Sequence, residues 1–502
     1  MATPGRAAKA GHPMNNRTGG RGTWNTTFHD LLGPWYSLDN AASIMPSTSD
    51  STSTHLFGLA VTFRDEVDRA VLRQALDATV ARFPYFAVEL RRGLFWPYLV
   101  PHKGIVPIEE DISSAPLIDY DVNRRGRCLF RVRVGGKRVL CEFHHAIADG
   151  TGGMRFLKNL VVEYLRLAGR APAGATRGSA DLTAGDPDIY DLDSLPAPDE
   201  SEDAYDRHAD PGLPSPEQPP QAWSPRRSFL GKHRYRITCG IVPLDEARAK
   251  ARGLGVSITE LLVATYMDAL QELWLRAGPA RQRLQRPTIV IDIPVNLRQH
   301  FPSGTNRNFS LTAQVRQDMR LRRRDFEDMA TRAHHEFRNA NDARAFGRQI
   351  ARNVGASRSL AFRLIPFPLK EVLYRFLFRF FGSSIYSGSI SNLGAAALPA
   401  WAVEHVERFD FLPSPYVNKS DIGVLSWKGL LHISLGSMDG SRELERLFFT
   451  RLRRLGLHVR LECNLGEGDA PAPRPTAPSA PSALSAPTEA SAPAATRAPR
   501  KD

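Results

Sequence analysis

Cysteine is scarce in this chain: four of 502 residues, Cys128, Cys141, Cys239 and Cys463, scattered and without a CxxC pair. That pattern indicates neither a disulfide framework nor a zinc site, and a reducing, cytoplasmic setting is expected. No run of about eighteen uncharged apolar residues occurs, so no segment is expected to span a bilayer. Met1 to Gly22 is rich in Gly, Ala and Arg and lacks an apolar stretch of signal-peptide length, so secretion is not expected. A Gly-x-Ser-x-Gly elbow is missing, which leaves a serine hydrolase unsupported. No Rossmann fingerprint follows a strand. Gly150-Thr151-Gly152-Gly153 lacks the lysine of a P-loop and reads as turn chemistry before a helix.

What is present is ordinary globular material: 42% hydrophobic and 24% charged residues, enough for two domains of typical size. The net charge is +13, but arginine is spread along the whole chain with acids interleaved. Without a nucleic-acid motif, this reads as a solvated basic surface, not a nucleic-acid interface. Strand and helix patterns alternate in two blocks, residues 24–168 and 226–465, which suggests two α/β units. Between them, 169–225 is a linker rich in Pro, Asp and Ala, read as a surface crossover or flexible connection. Residues 1–23 and 466–502 read as disordered.

Within the first block, His55 to Phe63 reads as a strand. A helix is expected over Asp65 to Arg82, ended by Phe83-Pro84. Cys128 to Val134 and Arg138 to Phe143 form a hairpin through Gly135-Gly136, and a helix is expected from Met154 to Leu167. In the second block, Ser257-Ile258-Thr259-Glu260 has capping-box spacing ahead of a helix to Arg276. Thr288 to Val295 is a strongly apolar strand. Leu360 to Phe381 mixes Leu, Ile and Phe with Arg363, Lys370, Arg375 and Arg379. A core helix pair broken at Pro366 and Pro368 is preferred there over a membrane-surface helix. Tyr386 to Ser391, Ile422 to Trp427 and Leu430 to Leu435 read as strands, and Glu443 to Leu455 as an amphipathic helix.

The most informative segment is His144-His145-Ala146-Ile147-Ala148-Asp149-Gly150, at the end of the second hairpin strand. Adjacent strand residues point to opposite faces, so the two histidines cannot converge on one metal ion, and no third ligand sits at a metal-binding spacing. One histidine should face the core and the other a cavity, where it could take a proton near neutral pH. Asp149 either relays a proton or fixes the loop through an ion pair; its place past the histidine favours the second. A buried histidine pair with an Asp-Gly turn accounts for the same residues without chemistry. Cys141 lies mid-strand among apolar neighbours that keep its thiol inert, so direct attack between bound substrates suits the site better than a covalent intermediate.

His144-His145-x-x-x-Asp149-Gly150 resembles the signature of the coenzyme A-dependent acyltransferase superfamily. That group includes condensation domains of peptide synthetases, plant BAHD acyltransferases, chloramphenicol acetyltransferase and alcohol acetyltransferases. Trp35 to Ala42, Arg82-Phe83-Pro84-Tyr85-Phe86, Gly93-Leu94-Phe95-Trp96, Pro294-Val295-Asn296-Leu297-Arg298, Asn306-Arg307-Asn308-Phe309 and Ser391-Asn392-Leu393-Gly394 are similar to the bacterial alcohol acetyltransferase-like branch. The resemblance covers roughly residues 24 to 465. It implies two chloramphenicol-acetyltransferase-like domains in a V with a tunnel between them. It further implies that His145 is the general base, that Asp149 pairs with an arginine on a later strand, here Arg298, and that Gly150 leaves room at the tunnel floor. Ser391 and Asn392 are assigned to the oxyanion or the tunnel. An acyl-CoA co-substrate, an alcohol or amine acceptor, no bound cofactor or metal, and a monomer follow from the same resemblance. A carrier-protein thioester as donor and a silent binding protein are the alternatives. The Asp-Phe-Gly-Trp-Gly motif of the BAHD branch is absent, with a partial echo in Asp421-Ile422-Gly423.

Overall fold

The computed structural model describes residues 35–465 apart from 51–52, 113–114, 119, 218–220, 226–227, 232, 284, 322, 381–384 and 417–418. The two terminal segments read as disordered therefore lie outside the described residues. The chain forms two α/β halves, each built on a mixed sheet. The first sheet has five strands in the order Val406–Leu412, Leu56–Phe63, Arg138–His144, Phe130–Gly135 and Ile108–Glu110. The second has seven, in the order Ser310–Asp318, Thr288–Asn296, Gly388–Ala395, Ser420–Trp427, Leu430–Ser437, Arg236–Pro243 and Arg460–Cys463. A small third sheet joins Tyr36–Ser37, Pro97–Pro101 and Val88–Arg92.

The strands behave as their side chains require. Leu56–Phe63 is apolar on both faces and is buried almost throughout, as a strand covered on both sides must be. The turns that join antiparallel neighbours need positive φ, and Gly136, Lys428 and Gly429 supply it. The helix expected over Asp65 to Arg82 begins at Arg69 because Asp68 caps it, accepting from the Ala70 and Val71 amides. The capping box of Ser257 and Glu260 forms as expected and starts the helix Ile258–Arg276. That helix is buried along most of its length against the second sheet. The first half's core is dense in aromatic rings, with Phe86 and Phe156 5.1 Å apart and Phe130 and Phe143 5.6 Å apart.

Four sequence expectations are corrected. The glycines after the motif are not a turn: the helix runs Gly150–Leu167, and its first turn needs them. A Cβ on Gly152 would stand 1.9 Å from the Asn306 carbonyl oxygen of the second half, and one on Gly153 would stand 2.9 Å from the Phe57 ring. The 169–225 connection is stitched down where it is described. Its Glu200 takes a two-pronged ion pair from Arg82, 2.7 and 2.8 Å, and a hydrogen bond from Tyr85. Its Asp188 pairs with Arg155 of the motif helix at 2.8 Å. The second block does not stay in its own half: Val406–Leu412 is the edge strand of the first sheet, paired antiparallel to Leu56–Phe63. Finally, Leu360–Leu364 and Phe367–Phe380 do form two helices broken at Pro366, but they are not core, since Leu360, Leu364, Leu369, Val372 and Phe376 face outward.

Close approach at Gly152 generates a paired prediction. Gly152→Ala will lose about 1–3 kcal/mol or more, because the Asn306 backbone must retreat. Gly355→Ala, inside the helix Ala343–Arg358 with nothing within 4 Å of the added carbon, will gain about 0.5–1 kcal/mol. Urea unfolding midpoints of the two variants against the parent check both signs.

Candidate active site

The strand Arg138–His144 delivers the motif to the junction between the halves. His144, its last residue, is fully buried. Its Nδ1 accepts from the Ala146 amide at 3.0 Å, so the ring hydrogen sits on Nε2, which donates to Ser49 Oγ at 2.9 Å. Behind it lies a third histidine. His55 has a left-handed backbone, φ +52°, and its ring meets Thr48 Oγ1 at 3.0 Å and the Tyr416 hydroxyl at 3.1 Å. Burial pushes the His55 pKa down to about 3 and holds His144 well below its ordinary value, each helped by the neighbouring rings. Both are therefore neutral at physiological pH.

His145 is the half-buried member of the three. The strand has ended, and the residue's backbone is gripped from two sides. Its amide donates to the His55 carbonyl at 2.9 Å, and its carbonyl accepts from Asn308 Nδ2 at 2.6 Å. The Phe57 ring lies against the imidazole, centroids 4.5 Å apart. Burial lowers the His145 pKa; the Asp149 charge and hydrogen bonds to the Ala148 backbone and the Asn308 side chain oppose the shift. The ring is thus unprotonated at neutral pH.

Asp149 is directed elsewhere. It caps the motif helix, accepting from the Gly152 amide at 3.0 Å, and takes the Phe309 amide at 2.9 Å. Arg298 binds both of its oxygens, at 2.8 and 3.4 Å, with both side chains nearly excluded from water. Burial alone would raise the Asp149 pKa; the Arg298 charge and these donors bring it below the usual carboxylate range. Arg298 sits on a 3-10 turn, Leu297–Gln299, just past the strand Thr288–Asn296. Its other donors hold the Thr305 and Arg307 carbonyls at 2.9 and 2.6 Å. The guanidinium thereby fixes the 305–309 loop, whose Asn308 holds His145 and whose Asn306 presses on Gly152.

Gly150 faces Leu393 of the second half, whose Cδ2 would be 2.7 Å from an added Cβ. This brings the strand carrying Ser391 and Asn392 over the start of the motif helix. Ser391 stands opposite Gly423 in the sheet. Asn392 donates to Thr259 Oγ1 at 3.0 Å and accepts from the Gly394 amide at 2.8 Å, contacts that tie the strand end to its own half. Cys141 is fully buried, and burial drives its thiol pKa far up, so it has no nucleophilic form to offer.

Among the described residues, Cys239, Asp410 and His432 form a cluster with metal-ligand chemistry, away from the motif histidines. A guanidinium occupies it: Arg408 donates to Asp410 at 2.7 Å and to Cys239 Sγ at 3.2 Å and pairs with Glu462. These are the contacts an ion would need.

Neither a protein family nor a curated protein matches the chain by sequence. Solved structures do match by shape. Polyketide synthase associated protein 5 from Mycobacterium tuberculosis aligns over 84% of this chain and 98% of its own, at 15% identity and TM-score 0.51. The chain shares its fold with this structure and two others. The epimerization domain from the third module of tyrocidine synthetase B aligns over 80% and 91%, at 13% identity and TM-score 0.52. Trichothecene 15-O-acetyltransferase from Fusarium sporotrichioides aligns over 84% and 94%, at 11% identity and TM-score 0.50.

Sequence reasoning assigned no role to His55, Ser49, Phe57 or Asn308. Asn308 lies inside a quoted motif, but nothing local says that its amide reaches a residue far up the chain. His55 reads as the start of a strand, and its positive φ has no signature in sequence.

Two stability predictions follow from this geometry. Asp149→Asn will cost about 3–5 kcal/mol by leaving Arg298 charged and buried. Adding Arg298→Met will recover part of that loss, which a double-mutant cycle of urea midpoints measures. The folded state refuses the proton that unfolded His55 binds below its ordinary 6.5. Stability is therefore intact above pH 6.5 and falls as the pH drops from 6.5 towards 3. His55 adds up to about 1.4 kcal/mol per pH unit to that slope. His55→Gln will flatten the acid slope of unfolding free energy relative to the parent.

Proposed function

We propose that this protein is an acyltransferase that moves an acyl group from a coenzyme A thioester to an alcohol or amine. The observation that carries the reading is His145: a neutral, half-buried imidazole, held by the backbone on both sides, next to a carboxylate that is committed to scaffolding. The fold supports acyl transfer in kind. It does not by itself name a reaction, since one structure of the same fold is described as an epimerization domain.

In this reading, acceptor and thioester meet beside His145. The imidazole takes the proton of the acceptor hydroxyl or amine as its oxygen or nitrogen attacks the thioester carbonyl carbon. The carbonyl π pair moves to oxygen, giving a tetrahedral oxyanion. When that pair returns, the C–S bond breaks, and the departing thiolate takes the proton back from the imidazolium. The protein ends as it began, with ester or amide and free thiol as products. Ser391 and Asn392, on the strand that carries Leu393, are assigned to the oxyanion or the tunnel. Asp149 and Arg298 hold the halves in register. Coenzyme A as donor suits a chain of net charge +13. The unpaired thiols suit the cytoplasm.

His145→Ala should reduce thiol release from acyl-CoA by about 10²–10⁴-fold while leaving the circular dichroism spectrum and melting temperature unchanged. Turnover at the parent's rate would remove His145 from the mechanism. The parent's rate should be flat through neutrality and fall with acid below pH 6.5, because burial lowers the base's pKa. Offering the same acyl group on coenzyme A and on a carrier protein identifies the donor; transfer from the carrier protein alone would reassign it.

A further inference from the structure

Among the described residues, seventeen large apolar side chains are exposed, and eight of them come from two short segments. Leu94 and Phe95 cap a hairpin turn of the first half; the other six lie between residues 360 and 376. The fold brings the two segments together. The Phe367 amide donates to the Leu94 carbonyl at 2.7 Å, and Lys370 Nζ reaches the Phe95 carbonyl at 3.1 Å.

The helix Phe367–Phe380 is arranged inside out. Phe367 and Lys370 are buried, with Lys370 Nζ 3.5 Å from the Trp96 ring centroid. Leu369, Val372, Leu373 and Phe376, at i, i+3, i+4 and i+7, form the outer stripe, 37 to 66% exposed. A surface helix that turns its ammonium inward and its apolar stripe outward is built to meet another apolar phase. Arg92, Arg363 and Arg375, all exposed, stand beside this face; Arg92 and Arg375 share Glu371 as an ion-pair partner, at 3.2 and 2.8 Å, which leaves the border net positive.

We propose that this face docks on an anionic lipid bilayer. The apolar stripe enters the headgroup boundary, and the bordering arginines meet the negative surface. Charge decides against a second copy of the chain, since pairing two such faces would oppose arginine to arginine in a protein that already carries +13. The inner side of the helix is one layer from the histidines. Arg375 Nε holds the Ser47 carbonyl at 3.0 Å, and the next two residues are Thr48, on His55, and Ser49, on His144. Docking therefore brings the membrane next to the motif.

The full chain should be mixed with phosphatidylcholine vesicles, with and without phosphatidylglycerol, and floated on a density gradient. Co-migration with the anionic vesicles, released by high salt, is the expected result. The triple variant Leu369→Ser, Val372→Ser, Phe376→Ser should lower the bound fraction about ten-fold with an unchanged melting temperature. No co-migration, equal binding to neutral vesicles, or full binding by the variant would each overturn the proposal. So would a dimer, seen by size exclusion, that the variant abolishes. The assay does not read acyl transfer, so its failure leaves the role of His145 untouched.

Discussion

The carboxylate of Asp149 accepts from the amides of Gly152 and Phe309 and from the guanidinium of Arg298. The first amide belongs to the helix that follows the motif; the second and the guanidinium belong to the other half of the chain. Arg298 then holds the loop that carries Asn306, Arg307 and Asn308. From this one buried pair the rest of the site follows. The loop is pinned, its Asn308 grips His145, and its Asn306 carbonyl sits where only a glycine can face it. An aspartate four residues past His145 could relay protons, but here its lone pairs are spent on structure.

Neutrality is the second theme. Three imidazoles gather at one point, and water is withheld from two of them. Like charges so close would repel, and burial removes the solvent that could screen them. His144 and His55 are therefore uncharged, His144 with a defined tautomer. The proposed chemistry rests on that arrangement and not on the fold, which is shared with domains described by different activities.

Much of this was legible in the sequence. The histidine pair, Asp149 and Gly150 lie within seven residues. The hairpin glycines, the Ser257 capping box and the apolar strand at Thr288 to Val295 are local patterns that fold locally. What escaped was non-local. The glycines after Asp149 read as a turn because nothing nearby shows Asn306 pressing on them. The connection through Glu200 read as a surface crossover or a flexible segment because its composition is polar, while its order comes from Arg82 and Tyr85 across the chain. The helix after Pro366 read as core because hydropathy reports apolarity and not the side on which the protein lies.

The exchanged strand has a consequence for how the molecule is made. Val406–Leu412 completes the first sheet beside Leu56–Phe63, yet more than three hundred residues separate them in the chain. As the polypeptide leaves the ribosome, the N-terminal half can collapse around its phenylalanines but must wait with a bare hydrogen-bonding edge. Such an edge invites pairing with other chains. Loop closure over that distance also makes the last step of assembly slow. The two halves are therefore not separable modules: the first is finished by the second.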